Sequence, residues 1–196
     1  MNIFNIEEFS IIKNKFGGSA ILESTNVCCE SEDFFTNLKH NISTDRRGEV
    51  VFCVIRPGGK IITITCPEYP SGIFRIPTGG LGHNEDIISA LKREIGEELG
   101  LTADIKTFVG AINITFLYGS ESELFHSYIF ILNETGGRLL LDASDDEVSE
   151  VLEVNVDELS EVSENLLKIE DSWKDWGKFR YITTNAVYRF LKDVRL

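Results

Sequence analysis

The chain has 196 residues, 42% of them hydrophobic and 26% charged, enough to bury one sizeable core and favouring a single elaborated domain over two full ones. Nineteen basic against 32 acidic residues give a net charge of −13, which argues against a duplex nucleic acid or an anionic membrane as partner, because binding either normally requires a basic face. No apolar run approaches a membrane span, the N-terminus lacks a basic segment leading into an apolar one, and Cys28, Cys29, Cys53 and Cys66 form neither a CxxC pair nor a zinc spacing, so a cytoplasmic protein with reduced thiols is expected.

Residues 1–45 carry no nameable chemistry. Phe9–Ile12 and Ser19–Leu22 read as strands, Asp33–Leu38 as the start of a short helix and the polar run Asn41–Gly48 as a loop. This segment is expected to be an N-terminal extension that packs on the core or on a second subunit of a homodimer. The main domain is expected over 46–160, with 161–196 a C-terminal helical extension of it.

Glu49–Ile55, the turn Pro57-Gly58-Gly59 and Lys60–Cys66 predict a hairpin. After the loop Glu68–Gly72, Phe74-Arg75-Ile76-Pro77 reads as a strand. Arg75 is a candidate substrate contact, since a guanidinium grips phosphate bidentately; a surface ion pair is the plain alternative.

The most informative stretch runs from Gly79 to Leu101: a glycine-rich loop with Gly79, Gly80 and Gly82, then a helix that stops at Gly100. Asn84 is the expected N-cap. Ile87, Ile88, Leu91, Ile95 and Leu99 recur at helical spacing and predict a buried face. On the neighbouring side Glu94, Glu97 and Glu98 fall within an arc of about 100°. Their oxygens are hard ligands suited to Mg²⁺ or Mn²⁺. A solvated acidic helix face is the plain reading of an isolated Glu-x-x-Glu-Glu, but the wider spacing separates the two readings. Gly79, Glu85, Arg93-Glu94-Ile95, Glu97-Glu98 and Gly100-Leu101 resemble the Nudix box at every defined position.

The resemblance to the Nudix hydrolase family implies an α/β fold, an α/β/α sandwich around a mixed sheet, and hydrolysis of a pyrophosphate bond in a nucleoside diphosphate linked to another moiety. It implies Glu94, Glu97 and Glu98 as metal ligands for Mg²⁺, with Mn²⁺ an alternative. Arg93 and Glu85 would orient the catalytic helix and its preceding loop, and Gly79 and Gly80 would bring loop backbone close to substrate. The expected partner is a small-molecule nucleotide. A catalytically silent nucleotide sensor or scaffold on the same fold is the alternative; such relatives usually lose box acids, which are intact here, or gain a DNA-binding extension, which neither the acidic charge nor the termini suggest.

Downstream, Ala103–Phe116 alternates as one or two strands interrupted at Asn113, and Tyr118–Glu123 is a loop. Leu124–Leu132 is a strand in which His126 reads as a packed histidine, Asn133–Gly137 is a turn, and Arg138–Leu141 follows. Tyr118 lies near where dinucleoside-polyphosphate members carry a tyrosine and is a candidate substrate contact. The coenzyme A signature and the post-box proline of ADP-ribose members are absent, so the resemblance leaves the substrate open. The acidic loop Asp142–Glu147 leads into the strand Val148–Val154, as does the family's late acidic loop, which makes Glu147 the candidate fourth acid, in competition with Glu123 and Glu150; Glu147 or one of the helix acids, Glu98 among the catalytic candidates, would accept the water's proton. Helices are expected near Asp157–Ile169 and over Thr184–Val194. Between them, the aromatic and basic residues Trp173–Arg180 could stack a base and hold a phosphate, or pack onto the core or a dimer partner.

Overall fold

The computed structural model describes residues 4–194. Seven strands and five α-helices alternate: α1 (Ile6–Phe16), β1 (Ile21–Cys28), α2 (Glu32–Thr44), β2 (Arg46–Ile55), β3 (Ile61–Thr65), β4 (Thr78–Gly82), α3 (Ile87–Glu94), β5 (Leu101–Tyr118), β6 (Glu121–Gly137), β7 (Glu150–Val154), α4 (Val156–Leu167) and α5 (Lys174–Val194). The strand order is β1-β5-β6-β2-β3-β7, with β4 paired to β2 off this path. β1 runs parallel to β5 and β2 parallel to β6, while the other pairs are antiparallel, so the sheet is mixed.

Period-two alternation places the layers. In β2, Val50, Phe52 and Val54 pack into one core with residues of α1 and α3. Val51 and Cys53 face the opposite core, shared with α2, α4 and α5. β6 repeats the pattern: Tyr128, Phe130 and Leu132 lie on the first side, Ile129 and Ile131 on the second. Helices thus cover both faces, and the α/β/α sandwich expected from the sequence is the fold observed. Among the described residues no helix is long and apolar enough to cross a membrane.

Several local expectations change. Phe9–Ile12 lies inside α1: Asn5 accepts the Glu8 N–H as N-cap, and the i, i+3 pair Phe9 and Ile12 is buried, a helical spacing hidden by the neighbouring isoleucines. Asn41–Gly48 is no loop, because α2 continues to Thr44 and β2 begins at Arg46. Phe74–Pro77 makes only an isolated bridge between Arg75 and Ile64. The glycine-rich loop is the strand β4, paired to β2 from Gly82 opposite Arg46 to Thr78 opposite Val51. The N-cap of α3 is Asp86, which accepts from Ser89 N–H at 3.0 Å, in place of Asn84.

β5 and β6 are single long strands joined by a tight turn at Gly119 and Ser120, with register shifts absorbing their twist. Asn113 does not interrupt β5, because it lies opposite His126 and its Oδ1 sits 2.8 Å from His126 Nδ1. Asn133–Gly137 likewise continues β6, and Arg138–Leu141 forms no strand. α5 begins ten residues before Thr184, so most of the Trp173–Arg180 segment is helical.

Two stability predictions follow from this packing. Burial holds His126 down at about 4, with Arg47 adding to the depression. The unfolded chain takes up this proton near the usual histidine value of about 6.5. Stability is therefore undiminished above that value and is lost as pH falls toward 4, by about 3 kcal/mol from this residue alone. Denaturant titrations of wild type and His126→Gln at pH 7 and pH 4.5 check this; the variant should lose less stability between the two. Gly100 caps the box helix at φ +67°, and a Cβ there would lie 2.3 Å from the Ala143 nitrogen. Gly100→Ala should cost on the order of 2 kcal/mol or more, read from the same titrations.

Candidate active site

The box helix changes pitch where its acids lie. α3 ends at Glu94, and Ile95–Leu99 forms a π-helical turn carrying Glu97 and Glu98, the kind of irregularity that recurs at functional sites. Leu91, Ile95 and Leu99 remain buried in the core below, so the turn is fixed from beneath while its acids lie along a polar cleft of about 500 Å³.

Arg93 organises that cleft. All five of its N–H donors are used: Nε to Glu85 Oε1 at 2.8 Å, Nη1 to Glu94 Oε1 and Glu97 Oε2 at 2.8 Å each, and Nη2 to the Gly80 carbonyl at 2.9 Å and Glu85 Oε2 at 3.0 Å. Glu85 Oε2 also accepts the Gly82 N–H at 3.1 Å. Arg93 therefore ties β4, the turn before α3 and the acids into one unit, and it holds the Glu85 carboxyl below the usual carboxylate range. The absence of a side chain at Gly79 is needed for this arrangement, since a Cβ would fall 2.1 Å from Glu94 Cδ.

Glu98 stands apart from this network. It is 5% exposed, and its Oε2 has no partner among the described residues. Burial pushes its carboxyl up to about 8; Arg75 opposes the rise, while Glu94, Glu147 and Asp145 add to it. Glu94 is also raised, first by burial. Among the described residues no three His, Cys, Asp or Glu side chains converge as a ready metal cage. Glu94 and Glu97 each give one oxygen to Arg93, which leaves each a second. The donor set nevertheless fits a hard divalent cation: these are carboxylate oxygens, they repel one another across one cleft, and one is buried without a partner.

Cations line the same cleft. Arg75, 5% exposed at the cleft, donates Nε to the Tyr69 hydroxyl at 2.9 Å, and Nη1 to the Ile76 carbonyl at 2.9 Å and Thr78 Oγ1 at 3.0 Å. Arg180 of α5 donates Nη1 to Glu49 at 2.6 Å, and Glu49 also accepts from Ser127 Oγ. Of the candidates read from sequence, Glu85, Arg93, Glu94, Glu97, Glu98, Glu147, Arg75, Gly79 and Gly80 all line this cleft. Tyr118 does not; it stacks on Phe35 at 5.7 Å between centroids. Of the two acids competing with Glu147, Glu123 borders a different cavity and Glu150 begins β7. Arg180 also lines it, within the segment Trp173–Arg180 that the sequence offers as a phosphate contact, whereas Arg46 and Asp145 are not singled out by the sequence. For Arg180 a signal existed: Glu49 heads an apolar run whose residues through Val54 are buried, and a buried carboxylate requires a partner.

The family profile described as NUDIX domain matches residues 45–177. Similar solved structures include a NUDIX hydrolase from Nitrosomonas europaea, 16% identical, covering 68% of this chain and 88% of that one at a TM-score of 0.46. A MutT protein from Methanosarcina mazei Go1 is 16% identical, covering 84% and 99% at 0.43. A UDP-X diphosphatase is 14% identical, covering 79% and 61% at 0.43. No functionally curated protein matches the chain. The domain match spans well over half the sequence and includes the whole Arg93-centred cleft except Arg180, and on that ground the chain belongs to the Nudix family and is a hydrolase of pyrophosphate bonds.

Proposed function

We propose that the protein is a metal-dependent hydrolase of a nucleoside diphosphate linked to another moiety, with water attacking a phosphorus of the pyrophosphate bridge. The observation carrying this reading is the buried Glu98 carboxyl with an unpartnered oxygen in a cleft lined by further acids and by Arg46, Arg75, Arg93 and Arg180. Glu94, Glu97 and Glu98 would hold Mg²⁺, or Mn²⁺ in its place. When bound, such an ion polarises phosphoryl oxygens and lowers the pKa of water. Glu147, solvent-exposed at the cleft, takes the proton from the attacking water at its carboxylate oxygen. Arg75 and Arg180 grip nonbridging phosphate oxygens and orient the bridge. Arg93 and Glu85 act by position, keeping the acids and the β4 backbone in register, with Gly79 leaving room for Glu94 and Gly80 for Arg46 at the cleft wall.

Glu98→Gln tests the ligand assignment directly. Hydrolysis across a panel of nucleoside diphosphate derivatives with Mg²⁺ should fall by on the order of a hundredfold or more, and calorimetric Mg²⁺ affinity should weaken. Thermal stability should hold or rise, because an amide carries no ionisation penalty in that buried position. Undiminished turnover would overturn the assignment. Arg93→Lys keeps the charge but offers three donors in place of five. Turnover should drop by roughly ten- to a hundredfold with the fold retained, as expected when a group that orients metal ligands is replaced.

A further inference from the structure

Tyr69 borders two cavities. Its hydroxyl accepts from Arg75 at the carboxylate cleft. Its ring packs against Trp176 at 4.4 Å and Trp173 at 5.9 Å between centroids, and the two tryptophans meet edge to face at 5.3 Å. None of these three rings belongs to either hydrophobic core, although large aromatics normally dominate cores. Each remains half-buried instead. Tyr69 and Trp173 line a second cavity of about 620 Å³, whose charged groups are Glu68, Glu170 and Asp171 against the single cation Lys168. Asp171 holds φ +55°, an uncommon conformation for a residue with a side chain, in the turn that presents Trp173.

This cavity holds three carboxylates, one lysine and no arginine, whereas the adjoining cleft sets Arg75 and Arg180 beside the acids proposed above to hold a divalent cation, so the phosphates belong in the cleft. The aromatic cavity suits the opposite end of a substrate: an uncharged planar ring that stacks on aromatic faces and gives its N–H or ribose O–H hydrogens to carboxylates. We propose that this cavity seats the nucleobase and ribose, and that the attached diphosphate passes Tyr69 into the carboxylate cleft. This rests on the pyrophosphohydrolase reading above and assigns each end of the substrate to its own cavity, with Tyr69 as their shared wall.

Both tryptophans of the chain, Trp173 and Trp176, lie in this cluster, so intrinsic tryptophan emission reports on it alone. The test titrates the full chain with adenosine, guanosine, cytidine and uridine, and separately with inorganic pyrophosphate plus Mg²⁺. At least one nucleoside should change the emission saturably. Trp173→Ala, with Trp176 as the remaining reporter, should weaken that nucleoside at least tenfold and leave pyrophosphate affinity unchanged by calorimetry. In hydrolysis assays the same variant should raise KM with kcat nearly preserved. If Trp173→Ala fails to fold, Ser172→Leu, an exposed change that narrows the cavity, should produce the same selective loss. No response to any nucleoside, or an equal loss for nucleoside and pyrophosphate, would overturn the proposal. Because the titrations need no turnover, nucleoside binding by an inactive protein would sink the hydrolase reading alone. Active enzyme with an unaltered KM in a folded variant would sink the pocket alone.

Discussion

The Arg93 guanidinium is the constraint on which the rest of the site depends. Three carboxylates and a backbone carbonyl surround it, and its rigid planar fork satisfies all of them from one place. Isolated surface ion pairs contribute little, because exposed side chains lose entropy on pairing and salt screens them. Here the geometry differs: a single cation serves several partners on three consecutive pieces of chain, so ordering it once orders β4, the turn at Glu85 and the helix together. Without that cation Glu94 would be a buried acid pressed against the β4 backbone at Gly79, with only the more distant charge of Arg46 to offset its desolvation.

The same requirement explains why the site was legible in the sequence. Gly79, Glu85, Arg93 and the acids stand at spacings that a helix and its entry turn impose, so their association is local and survives in the linear pattern. The sandwich was legible through the resemblance that those spacings carry; the apolar runs in 49–55 and 124–132 and the stripe of the box helix are compatible with it, since each marks a buried element. Less legible were features decided by tertiary partners. The glycines of β4 read as a loop because nothing in their own chemistry announces pairing to β2. Asn113 read as a break because its strand position is stabilised by His126, thirteen residues away. The pitch change at Ile95–Leu99 left no mark, since the apolar spacing that predicts an α-helix is compatible with one wider turn. Arg180 lies 131 residues from Glu49, and only the burial of Glu49 makes the pair necessary.

The two cores also account for where the cleft lies. β2 sits mid-sheet and is buried along most of its length, and it passes β4 on one edge before giving way to β3. The gap in pairing between β4 and β3 is spanned by residues 66–77, which deliver Tyr69 and Arg75 to the cleft. α5 reaches the same place from the opposite face of the sheet and contributes Arg180 through its ion pair with Glu49 on β2. Elements from both helical layers thus meet where the sheet's edge pairing changes hands, and a cavity forms because no single strand fills that position.

Charge segregation within this cleft is the feature that keeps it reactive. In a chain of net charge −13, arginines beside acids would ordinarily pair with them and neutralise the site. Arg75 is instead held by the Tyr69 hydroxyl, the Ile76 carbonyl and Thr78, and Arg180 by Glu49, a carboxylate that is not among the cleft's lining residues. Each cation is anchored by groups other than the helix acids, while Arg93 takes only one oxygen apiece from Glu94 and Glu97. Arg46 and Arg93 do pair with lining acids, but Arg75 and Arg180 are anchored elsewhere, and Glu98 keeps an oxygen without a partner among the described residues. An acidic protein can receive an anionic substrate on such a surface, because the negative side attracts cations and the positive side is already fixed in place for phosphate.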